Sequence, residues 1–463
     1  MLMERYDAII IGTGQAGPPL AQRLSAAGWK VAIVERAKFG GTCVNTGCIP
    51  TKALVASAHV AWQARRAAEY GIDLRGAVGV DVAALMARKD RISGSSATGV
   101  EKWVRGLAGA TVVQGHARFE SATQVRVGDH ELHAERIFIN VGGRAQRPAL
   151  DGLDRVPVLT NSSILQLRAL PEHLVVVGGS YVGLEFAQMF RRFGSRVTVL
   201  QRGAQLVPRE DADVAAALQT ILEQEGIAVQ LGTECIALSR AGERIAVQAR
   251  CGPDAPVTHG SHVLVATGRQ PNTDDLGLDR AGVRVDARGY IEVDDELRTS
   301  VPGIWALGDC NGRGAFTHTS YNDFEIVAAN LLDGDTRRVS DRIPAYALFT
   351  DPPLARIGLS IGEARRRGGS VLVGERAMSR VGRAVEKGEE QGFLRILVDA
   401  ASERLIGATL LGVEADEAVH ALLTLMYAGV SYKVMQRAMH IHPTVSELLP
   451  TVLGELHALD PPS

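Results

Sequence analysis

The chain has 463 residues, enough for about three domains of ordinary size. Its 50 basic and 52 acidic residues give a net charge of −2, so charge gives no reason to expect nucleic acid or an anionic membrane as a partner. No apolar stretch approaches the ~20 residues of a membrane-spanning helix, and five cysteines are too few for a disulfide-stapled secreted scaffold. We therefore expect a soluble, cytoplasmic protein.

Two segments of the first half, Tyr6–Arg36 and Glu172–Arg202, repeat one pattern without a gap. Each begins with an apolar strand and a glycine turn, and continues through an amphipathic helix into a second apolar strand. This is the pattern of a βαβ unit. Two copies predict an α/β fold with two Rossmann-like dinucleotide-binding domains.

The first copy carries the fingerprint Gly12-x-Gly14-x-x-Gly17 directly after its first strand. Such glycines allow a tight turn, the approach of a pyrophosphate to the backbone and close packing of the helix on the strand. Glu35 ends the second strand, where a carboxylate can accept hydrogen bonds from a ribose diol. The three glycines alone could form a plain turn, but strand, helix and acid in register favour a site for adenosine with a free ribose diol.

The second copy reads Gly178-x-Ser180-x-x-Gly183, with a small side chain in place of the middle glycine. The position that matches Glu35 is a neutral residue, Gln201, and Arg202 follows it. A carboxylate would repel a 2′-phosphate, whereas an amide beside a guanidinium would bind one. This favours NADPH over NADH, although Arg202 could also be a solvated surface arginine.

Two cysteines, Cys43 and Cys48, lie in the segment GGTCVNTGCIPTK at residues 40–52. The proline two residues after Cys48 suits the first turn of a helix, which we expect to run through Lys52 to about Arg66. A thiol at a helix N-terminus has a lowered pKa, so the pair predicts a redox-active dithiol or disulfide. Two buried structural thiols or half of a zinc site are the alternatives, but Cys235, Cys251 and Cys310 show no ligand spacing for zinc.

This segment resembles the redox-active segment of the pyridine nucleotide–disulfide oxidoreductases, the flavoenzymes that include glutathione reductase, dihydrolipoamide dehydrogenase and mercuric reductase. Over essentially the whole chain, further segments resemble landmarks of that family, in order: NVGGR at 140–144, VATGRQPN at 265–272, TSVPGIWALGD at 299–309, a helix from about His318 to Leu332, and FTDPPLARIG at 349–358. The resemblance implies a FAD-binding domain at 1–153 and 277–345, an NAD(P)H-binding domain at 154–276, and a C-terminal α+β dimerisation domain at 346–463.

The resemblance also implies roles for individual residues. Cys48 would lie against the flavin and Cys43 would attack the substrate, while Lys52 would sit near the flavin N5 and pair with Glu185. Tyr181 matches the aromatic residue that covers the nicotinamide pocket, although it could simply pack at a helix N-terminus. Further cofactor contacts are expected at Gly41, Thr42, Gly143, Gly268, Gly308 and Asp309, the last of them with the ribityl chain.

Near the C-terminus the sequence MHIHPTVSELL, residues 439–449, resembles the closing motif of the family. The resemblance makes His442 a general acid–base, oriented by Glu447, that acts in the active site of the partner subunit. The protein would therefore be a homodimer. Thr444 and Glu447 also have the spacing of a helix capping box, and both interpretations can hold. His440 is expected to be structural, so we predict no metal site.

Different motifs of the sequence resemble different members of the family. HIHPTVSE is very like the corresponding segment of dihydrolipoamide dehydrogenases, which use NAD and carry an acid where this chain has Gln201. The run from VTVLQRG to LVPRED resembles mercuric reductases and mercuric-reductase-like flavoproteins most closely. True mercuric reductases carry a cysteine pair near the C-terminus, but this sequence has no cysteine after Cys310. We expect an NADPH- and FAD-dependent oxidoreductase that is mercuric-reductase-like and acts on a small disulfide or other oxidised substrate. The alternatives are a dihydrolipoamide dehydrogenase and a flavin redox sensor of slow turnover.

Overall fold

The computed structural model describes residues 3–234, 236–249 and 256–459; Cys235 and Cys251 lie outside these ranges. The strands are β1 (Met3–Arg5), β2 (Ala8–Ile11), β3 (Val31–Glu35), β4 (Ala110–Gln114), β5 (Ala117–Ser121), β6 (Gln124–Val127), β7 (His130–His133), β8 (Ile137–Ile139), β9 (Gly143–Ala145), β10 (His173–Val177), β11 (Arg196–Leu200), β12 (Ala228–Gln230), β13 (Ala237–Ala241), β14 (Arg244–Gln248), β15 (Val257–Gly260), β16 (His262–Val265), β17 (Arg269–Pro271), β18 (Ile304–Ala306), β19 (Ala345–Leu348), β20 (Leu354–Gly358), β21 (Val371–Ala377), β22 (Phe393–Asp399), β23 (Arg404–Leu411) and β24 (His457–Ala458). The α-helices are α1 (Gly17–Ala26), α2 (Gly41–Asn45), α3 (Cys48–Arg65), α4 (Val82–Arg105), α5 (Tyr181–Phe193), α6 (Ala212–Gln224), α7 (Leu278–Ala281), α8 (Thr317–Ala328), α9 (Ile361–Arg367), α10 (Gly382–Glu386), α11 (Ala415–Ala428), α12 (Lys433–Gln436) and α13 (Leu449–Gly454).

The first nucleotide-binding unit is built on a parallel sheet of five strands in the order β18-β8-β2-β3-β4. Every residue of β2 and β3 is buried, as expected for continuous apolar strands that are covered on both faces. The edge strand β18 follows the second unit in the chain. The second unit is therefore inserted into the first.

The second unit has a parallel sheet in the order β12-β11-β10-β16, with α5 packed against it. It repeats the first unit in its backbone hydrogen bonds. The N–H of Gly12 donates to Val34 O at 2.8 Å, and the N–H of Gly178 donates to Leu200 O at 2.9 Å. The repeat seen in the sequence is thus a structural repeat.

The C-terminal part forms an antiparallel sheet of six strands in the order β19-β20-β23-β22-β21-β24, with α11 and α13 packed on it. The predicted fold class is confirmed, with parallel nucleotide-binding sheets followed by an α+β domain. The domain boundaries given above stay predictions. In the described residues, no helix is both long and apolar enough to cross a membrane.

One hydrophobic core joins the three parts. Leu54 of α3, Phe186 and Phe190 of α5, and Leu348 and Leu354 of the C-terminal sheet are all buried in it. This core sets the position of the helix that begins at the redox cysteines relative to the other two parts. The predicted helix to about Arg66 is observed as α3, and the helix expected at 318–332 is α8, which continues into a π-helical turn at Ala329–Asp333.

Candidate active site

The two candidate redox cysteines lie on either side of a tight turn between α2 and α3. Cys43 lies within α2, and Cys48 is the first residue of α3, directly after Gly47. A Cβ atom at Gly47 would lie 2.9 Å from the carbonyl oxygen of Thr42, so the close approach of the two segments requires glycine. Both cysteines are free thiols, and Cys48 is the more exposed of the two.

The two thiols differ in their affinity for a proton. The pKa of Cys48 is lowered to about 6, first by the hydrogen bond from Cys43 and then, against the effect of burial, by Thr317 and Lys52. The hydroxyl of Thr317 lies 3.3 Å from Cys48 Sγ. The pKa of Cys43 is raised, because its proton is held in the bond to Cys48 and because the thiol is partly buried. At neutral pH Cys48 is therefore the thiolate, and Cys43 needs a base before it can act as a nucleophile.

An ion pair joins the redox helix to the second nucleotide-binding unit. Lys52 Nζ lies 2.9 and 2.7 Å from the two carboxylate oxygens of Glu185 on α5, whose side chain is only 8% exposed. The backbone N–H of Phe349 donates to the same carboxylate at 3.1 Å, and its ring centre lies 4.5 Å from Lys52 Nζ. The structure thus brings together the two residues that the sequence paired. It adds Phe349, whose role the sequence did not indicate.

The first glycine fingerprint forms a tight turn between β2 and α1, with close contacts to neighbouring backbone. A Cβ atom at Gly12 would lie 2.3 Å from the carbonyl oxygen of Asn140, and one at Gly17 would lie 2.2 Å from the carbonyl oxygen of Gly12. A Cβ atom at Gly41 would come within 2.9 Å of the Cα atom of Gly14. These close backbone contacts require glycine at all three positions, and the pyrophosphate of FAD would bind to the free backbone N–H groups at the N-terminus of α1.

Two carboxylates that are predicted to contact the cofactor lie at the carboxyl ends of β3 and β18. Glu35, at the end of β3, is buried and accepts hydrogen bonds from the N–H of Thr13 at 3.1 Å and from its hydroxyl at 2.5 Å. Asp309 lies in the turn after β18, where burial raises its pKa and the guanidinium of Arg269 is 3.5 Å away. Carboxylate oxygens can accept several hydrogen bonds at once, so both residues suit a ribose or a ribityl chain.

The paired glycine turns of the sequence lie together. β9, which begins at Gly143, pairs antiparallel with β17, which follows Gly268. The hydroxyl of Thr42 donates to the carbonyl oxygen of Gly143 at 3.4 Å and so ties this junction to the redox segment. Gly308 has a φ of +74°, and its N–H donates at 2.7 Å to the buried carboxylate of Asp323. The predicted cofactor contacts Gly143 and Gly308 therefore lie beside α2 and α8, respectively.

The second fingerprint has nearly the same backbone geometry as the first. A Cβ atom at Gly178 would lie 2.4 Å from the carbonyl oxygen of Ala266, and one at Gly183 would lie 2.0 Å from the carbonyl oxygen of Gly178. Ser180 has extended backbone and is the residue before α5, so its side chain is tolerated. The predicted second phosphate-binding turn therefore keeps this backbone geometry without the middle glycine.

Gln201 occupies the place of Glu35 in the second unit. Its side-chain oxygen accepts a hydrogen bond from the N–H of Gly179 at 3.0 Å, just as Glu35 accepts one from the N–H of Thr13. The side-chain nitrogen of Gln201 is left as a donor beside the exposed Arg202. The turn after β11 therefore offers donors where the first unit offers a carboxylate.

Tyr181, the first residue of α5, bridges the second unit and the redox site. Its hydroxyl donates to Glu210 Oε1 at 3.0 Å. Its ring makes edge contacts with Phe316, at 6.3 Å between centroids, and with Tyr346, at 5.8 Å. Phe316 directly precedes Thr317, the neighbour of Cys48. The sequence did not indicate a role for Thr317, Glu210 or Tyr346. The helix predicted to begin at about His318 in fact begins at Thr317, so a start one residue earlier would have included this threonine.

The C-terminal motif forms a histidine–carboxylate pair. His442 Nδ1 lies 2.9 Å from Glu447 Oε2, and the histidine side chain is 79% exposed while that of Glu447 is 15% exposed. The hydroxyl of Thr444 accepts the N–H of Glu447 at 3.2 Å. The threonine thus acts as a cap, but the Glu447 carboxylate turns to His442, so the capping box is only half formed. No hydrogen bond among the described residues links His442 to the cysteines of its own chain.

Cys310 is fully buried, and burial raises its pKa to about 12. Its Sγ donates to the carbonyl oxygen of Leu307 at 3.3 Å. This thiol is therefore an inert core residue and not part of the redox site.

The chain is similar to known proteins over almost its whole length. Residues 6–323 match the family described as pyridine nucleotide-disulphide oxidoreductase, and residues 344–453 match the dimerisation domain of the same family. The chain belongs to the class I pyridine nucleotide-disulphide oxidoreductases. It is an NAD(P)H-dependent flavoprotein that uses FAD, and it carries the dimerisation domain of that family.

Among its relatives is the probable pyridine nucleotide-disulfide oxidoreductase RclA of Escherichia coli, which is 36% identical over 459 residues, or 96% of this chain and 98% of that protein. Mercuric reductase of Streptomyces lividans is 34% identical over 452 residues, covering 96% and 94% of the two chains. Dihydrolipoyl dehydrogenase of Thermus scotoductus is 33% identical over 458 residues, covering 98% of each.

A solved structure, the HOCl-induced flavoprotein disulfide reductase RclA from E. coli, superposes with a TM-score of 0.89 at 34% identity over 97% of this chain and 99% of that one. Its Cu(II) complex also matches with a TM-score of 0.89 and 34% identity, over 98% and 99% of the chains.

Proposed function

We propose that the protein carries electrons from NADPH through FAD to the Cys43–Cys48 disulfide, and from the resulting dithiol to a small disulfide or other oxidised substrate. When bound, FAD supplies the step between hydride transfer and the reduction of sulfur. The observation that carries the proposal is the placement of the two thiols on either side of one turn. Cys48 is the first residue of α3, with its Sγ 3.3 Å from the hydroxyl of Thr317, and Cys43 lies within α2; these surroundings lower the pKa of Cys48 and raise that of Cys43.

The dithiol can reduce a disulfide by two exchange steps. The thiolate of Cys43 attacks one sulfur of the substrate, forming a mixed disulfide and expelling the other half as a thiolate. Cys48 then attacks the sulfur of Cys43, which forms the Cys43–Cys48 disulfide and releases the second half. Each turnover converts one substrate disulfide and two protons into two thiols, and the two electrons come from the dithiol.

The base for Cys43 would be His442 of the partner subunit. Within one chain, Glu447 orients the imidazole by taking Nδ1, which leaves Nε2 for proton transfer. The segment beside it is open, since Met439 is 100% exposed and Ile441 is 80% exposed. An oriented but exposed acid–base on a dimerisation domain fits a site that is completed in a homodimer.

The turn after β11 supports NADPH as the electron donor. Gln201 copies the backbone contact of Glu35 without its negative charge, and Arg202 stands next to it. A 2′-phosphate placed there would meet an amide donor and a guanidinium in place of a carboxylate. NADH would lack the group that these donors bind.

Anaerobic titration of the FAD-loaded protein with NADPH tests the electron path. We expect rapid two-electron reduction and a long-wavelength absorption band from the thiolate of Cys48 beside the flavin. Cys48→Ser should abolish the band, and the matched control Cys310→Ser, at a buried thiol outside the site, should keep it. Flavin reduction far slower than turnover with every acceptor, or a band that survives Cys48→Ser, would overturn the proposal.

The cofactor preference is tested separately by comparing kcat/KM for NADPH and NADH. Gln201→Glu is expected to raise KM for NADPH by about tenfold or more, because it restores the carboxylate that repels a 2′-phosphate. Arg202→Gln should also raise KM for NADPH and leave KM for NADH unchanged. A wild-type preference for NADH would show that this turn has been misinterpreted.

A second candidate acceptor is Cu(II), which the Cu(II) complex of the E. coli relative favours. An exposed thiolate is a soft ligand that suits copper, and one dithiol could reduce two Cu(II) ions to Cu(I) as it becomes a disulfide. A panel of glutathione disulfide, lipoamide, hypothiocyanite, quinones, Hg(II) and Cu(II), each with NADPH and NADH, distinguishes the acceptors. Preferred turnover of lipoamide with NADH would identify a dihydrolipoamide dehydrogenase, and slow turnover of every acceptor would favour a redox sensor.

A further inference from the structure

A buried carboxylate lies where the second nucleotide-binding unit meets the C-terminal domain. The side chain of Glu210, which precedes α6, has 0% exposure. Its Oε1 accepts hydrogen bonds from the hydroxyls of Tyr181 at 3.0 Å and Tyr346 at 2.8 Å. Its Oε2 lies 3.0 Å from Nη1 of Arg356. We call these four side chains the Glu210 cluster.

Two members of the cluster come from the C-terminal sheet and are held by its register. Tyr346 on β19 and Arg356 on β20 are directly opposite each other across the antiparallel pair, so both point to the same carboxylate. Arg356 is fixed further by Glu363, which lies 2.7 Å from Nη2. The carboxylate therefore keeps a hydroxyl and a guanidinium even when Tyr181 is absent.

Tyr181 is the member of the cluster that can leave. Both tyrosines of the cluster are partly buried, but Tyr181 is the first residue of α5, next to the turn that contains Gly178, and no strand register holds it. Its ring lies between that turn and Phe316. The next residue after Phe316 is Thr317, whose hydroxyl contacts Cys48. A nicotinamide that reached from the second fingerprint towards the redox site would therefore come up against this ring.

We propose that Glu210, held by Tyr346 and Arg356 of the C-terminal domain, fixes Tyr181 in a closed position and thereby sets the affinity of the site for the nicotinamide end of the dinucleotide. This inference rests on the proposed function, since it takes a nicotinamide dinucleotide as the electron donor, and it uses the predicted role of Tyr181 as the cover of the nicotinamide pocket. Glu210, Tyr346 and Arg356 are positioning residues, because they act through Tyr181. Opening breaks one hydrogen bond and two ring contacts and leaves no buried charge without a partner.

This arrangement predicts that two similar substitutions have different effects on dinucleotide binding. Tyr181→Phe keeps the ring but removes the hydrogen bond to Glu210, so the open state becomes more populated and the apparent Kd for the dinucleotide falls. A bond to a buried carboxylate is among the stronger ones, so we expect a decrease of about tenfold. Tyr346→Phe removes the competing donor at the same oxygen and leaves Tyr181 bound, so the Kd should stay equal or rise.

The experiment measures equilibrium binding of NADP⁺ to the FAD-loaded wild type and the two variants by calorimetry. It uses 2′,5′-ADP, which lacks the nicotinamide, as a second probe. Tighter NADP⁺ binding only in Tyr181→Phe, with 2′,5′-ADP unchanged in all three proteins, supports the inference. It is overturned if Tyr181→Phe does not tighten NADP⁺, if both variants change in the same direction, or if 2′,5′-ADP affinity follows NADP⁺ affinity.

Failure of the proposed function gives a different result. If the wild type prefers NADH, the same comparison is made with NAD⁺ and ADP-ribose, because the nicotinamide is common to both cofactors. If the FAD-loaded wild type binds neither NADP⁺ nor NAD⁺, the proposed electron donor is wrong and the inference about the cluster is overturned with it.

Discussion

Thr317→Val tests how the structure holds Cys48 as a thiolate. The hydroxyl of Thr317 lies 3.3 Å from Cys48 Sγ, and this contact is one of the causes that lower the pKa of Cys48 to about 6. Valine has nearly the same shape as threonine and keeps the branched carbon at the start of α8. The substitution therefore removes the hydroxyl, which also contacts Cys43, and keeps the rest of the side chain.

The expected magnitude follows from the strength of the lost contact. A hydrogen bond to a charged group stabilises it by about 1.5 kcal/mol at the low end, which suits a large sulfur acceptor. One pKa unit corresponds to about 1.4 kcal/mol, so the pKa of Cys48 should rise by about one unit, to about 7. At pH 7 the thiolate population would fall from roughly nine-tenths to roughly one half.

The assay follows the long-wavelength absorbance of the reduced, FAD-loaded protein from pH 5 to pH 9 under anaerobic conditions. The midpoint in Thr317→Val should lie about one pH unit above that of the wild type. Thr317→Ser keeps the hydroxyl and should titrate like the wild type. If Thr317→Val has the wild-type midpoint, or if both variants shift equally, the hydroxyl does not stabilise the thiolate and the interpretation of this contact is wrong.

Three further predictions concern other parts of the molecule. Gly17→Ala would place a Cβ atom 2.2 Å from the carbonyl oxygen of Gly12, so the purified variant should contain less than about half the FAD of the wild type by absorbance; full occupancy would show that this turn does not bind the cofactor. His442→Ala should lower kcat with a disulfide substrate about 100-fold while stopped-flow reduction of the flavin by NADPH stays unchanged, and an equal loss in both would refute an acid–base role. Burial would raise the pKa of Asp351, but the hydrogen bond with His59 and the charge of a buried arginine lower it to about 2. The stabilisation that the ionised Asp351 carboxylate provides is therefore present above pH 4 and is lost as the pH falls. Between pH 5 and pH 3 the free energy of unfolding of Asp351→Asn, measured by thermal unfolding, should fall by roughly 1 kcal/mol less than that of the wild type. Equal losses would count against the contact of Asp351 with His59 and the arginine. The same contact raises the pKa of His59, so its contribution is present below about pH 6.5 and is lost as the pH rises through the raised value.

Local sequence determined the elements of this protein and the groups that they present. The spacing of Gly12, Gly14 and Gly17 after an apolar strand predicted the first phosphate-binding turn, and the offset repeat predicted the second. Cys43 and Cys48 are five positions apart, so a single turn and a helix start are enough to place them side by side. These features depend on backbone conformations that only glycine permits and on hydrogen-bonding groups at helix ends, which short segments carry with them.

The tertiary structure decided which distant side chains act on those groups. Thr317 is far along the chain from Cys48, and nothing in its own segment indicates that its hydroxyl lies beside a thiolate. Glu210 likewise reads as one acid in a polar loop, yet the packing of α5 against the C-terminal sheet encloses its carboxylate with Tyr181 and Tyr346. The protonation state of a thiol and the hydrogen bonding of a tyrosine ring depend on the distance and burial of their neighbours. Spacing in the sequence does not reveal these distances when the residues belong to different domains.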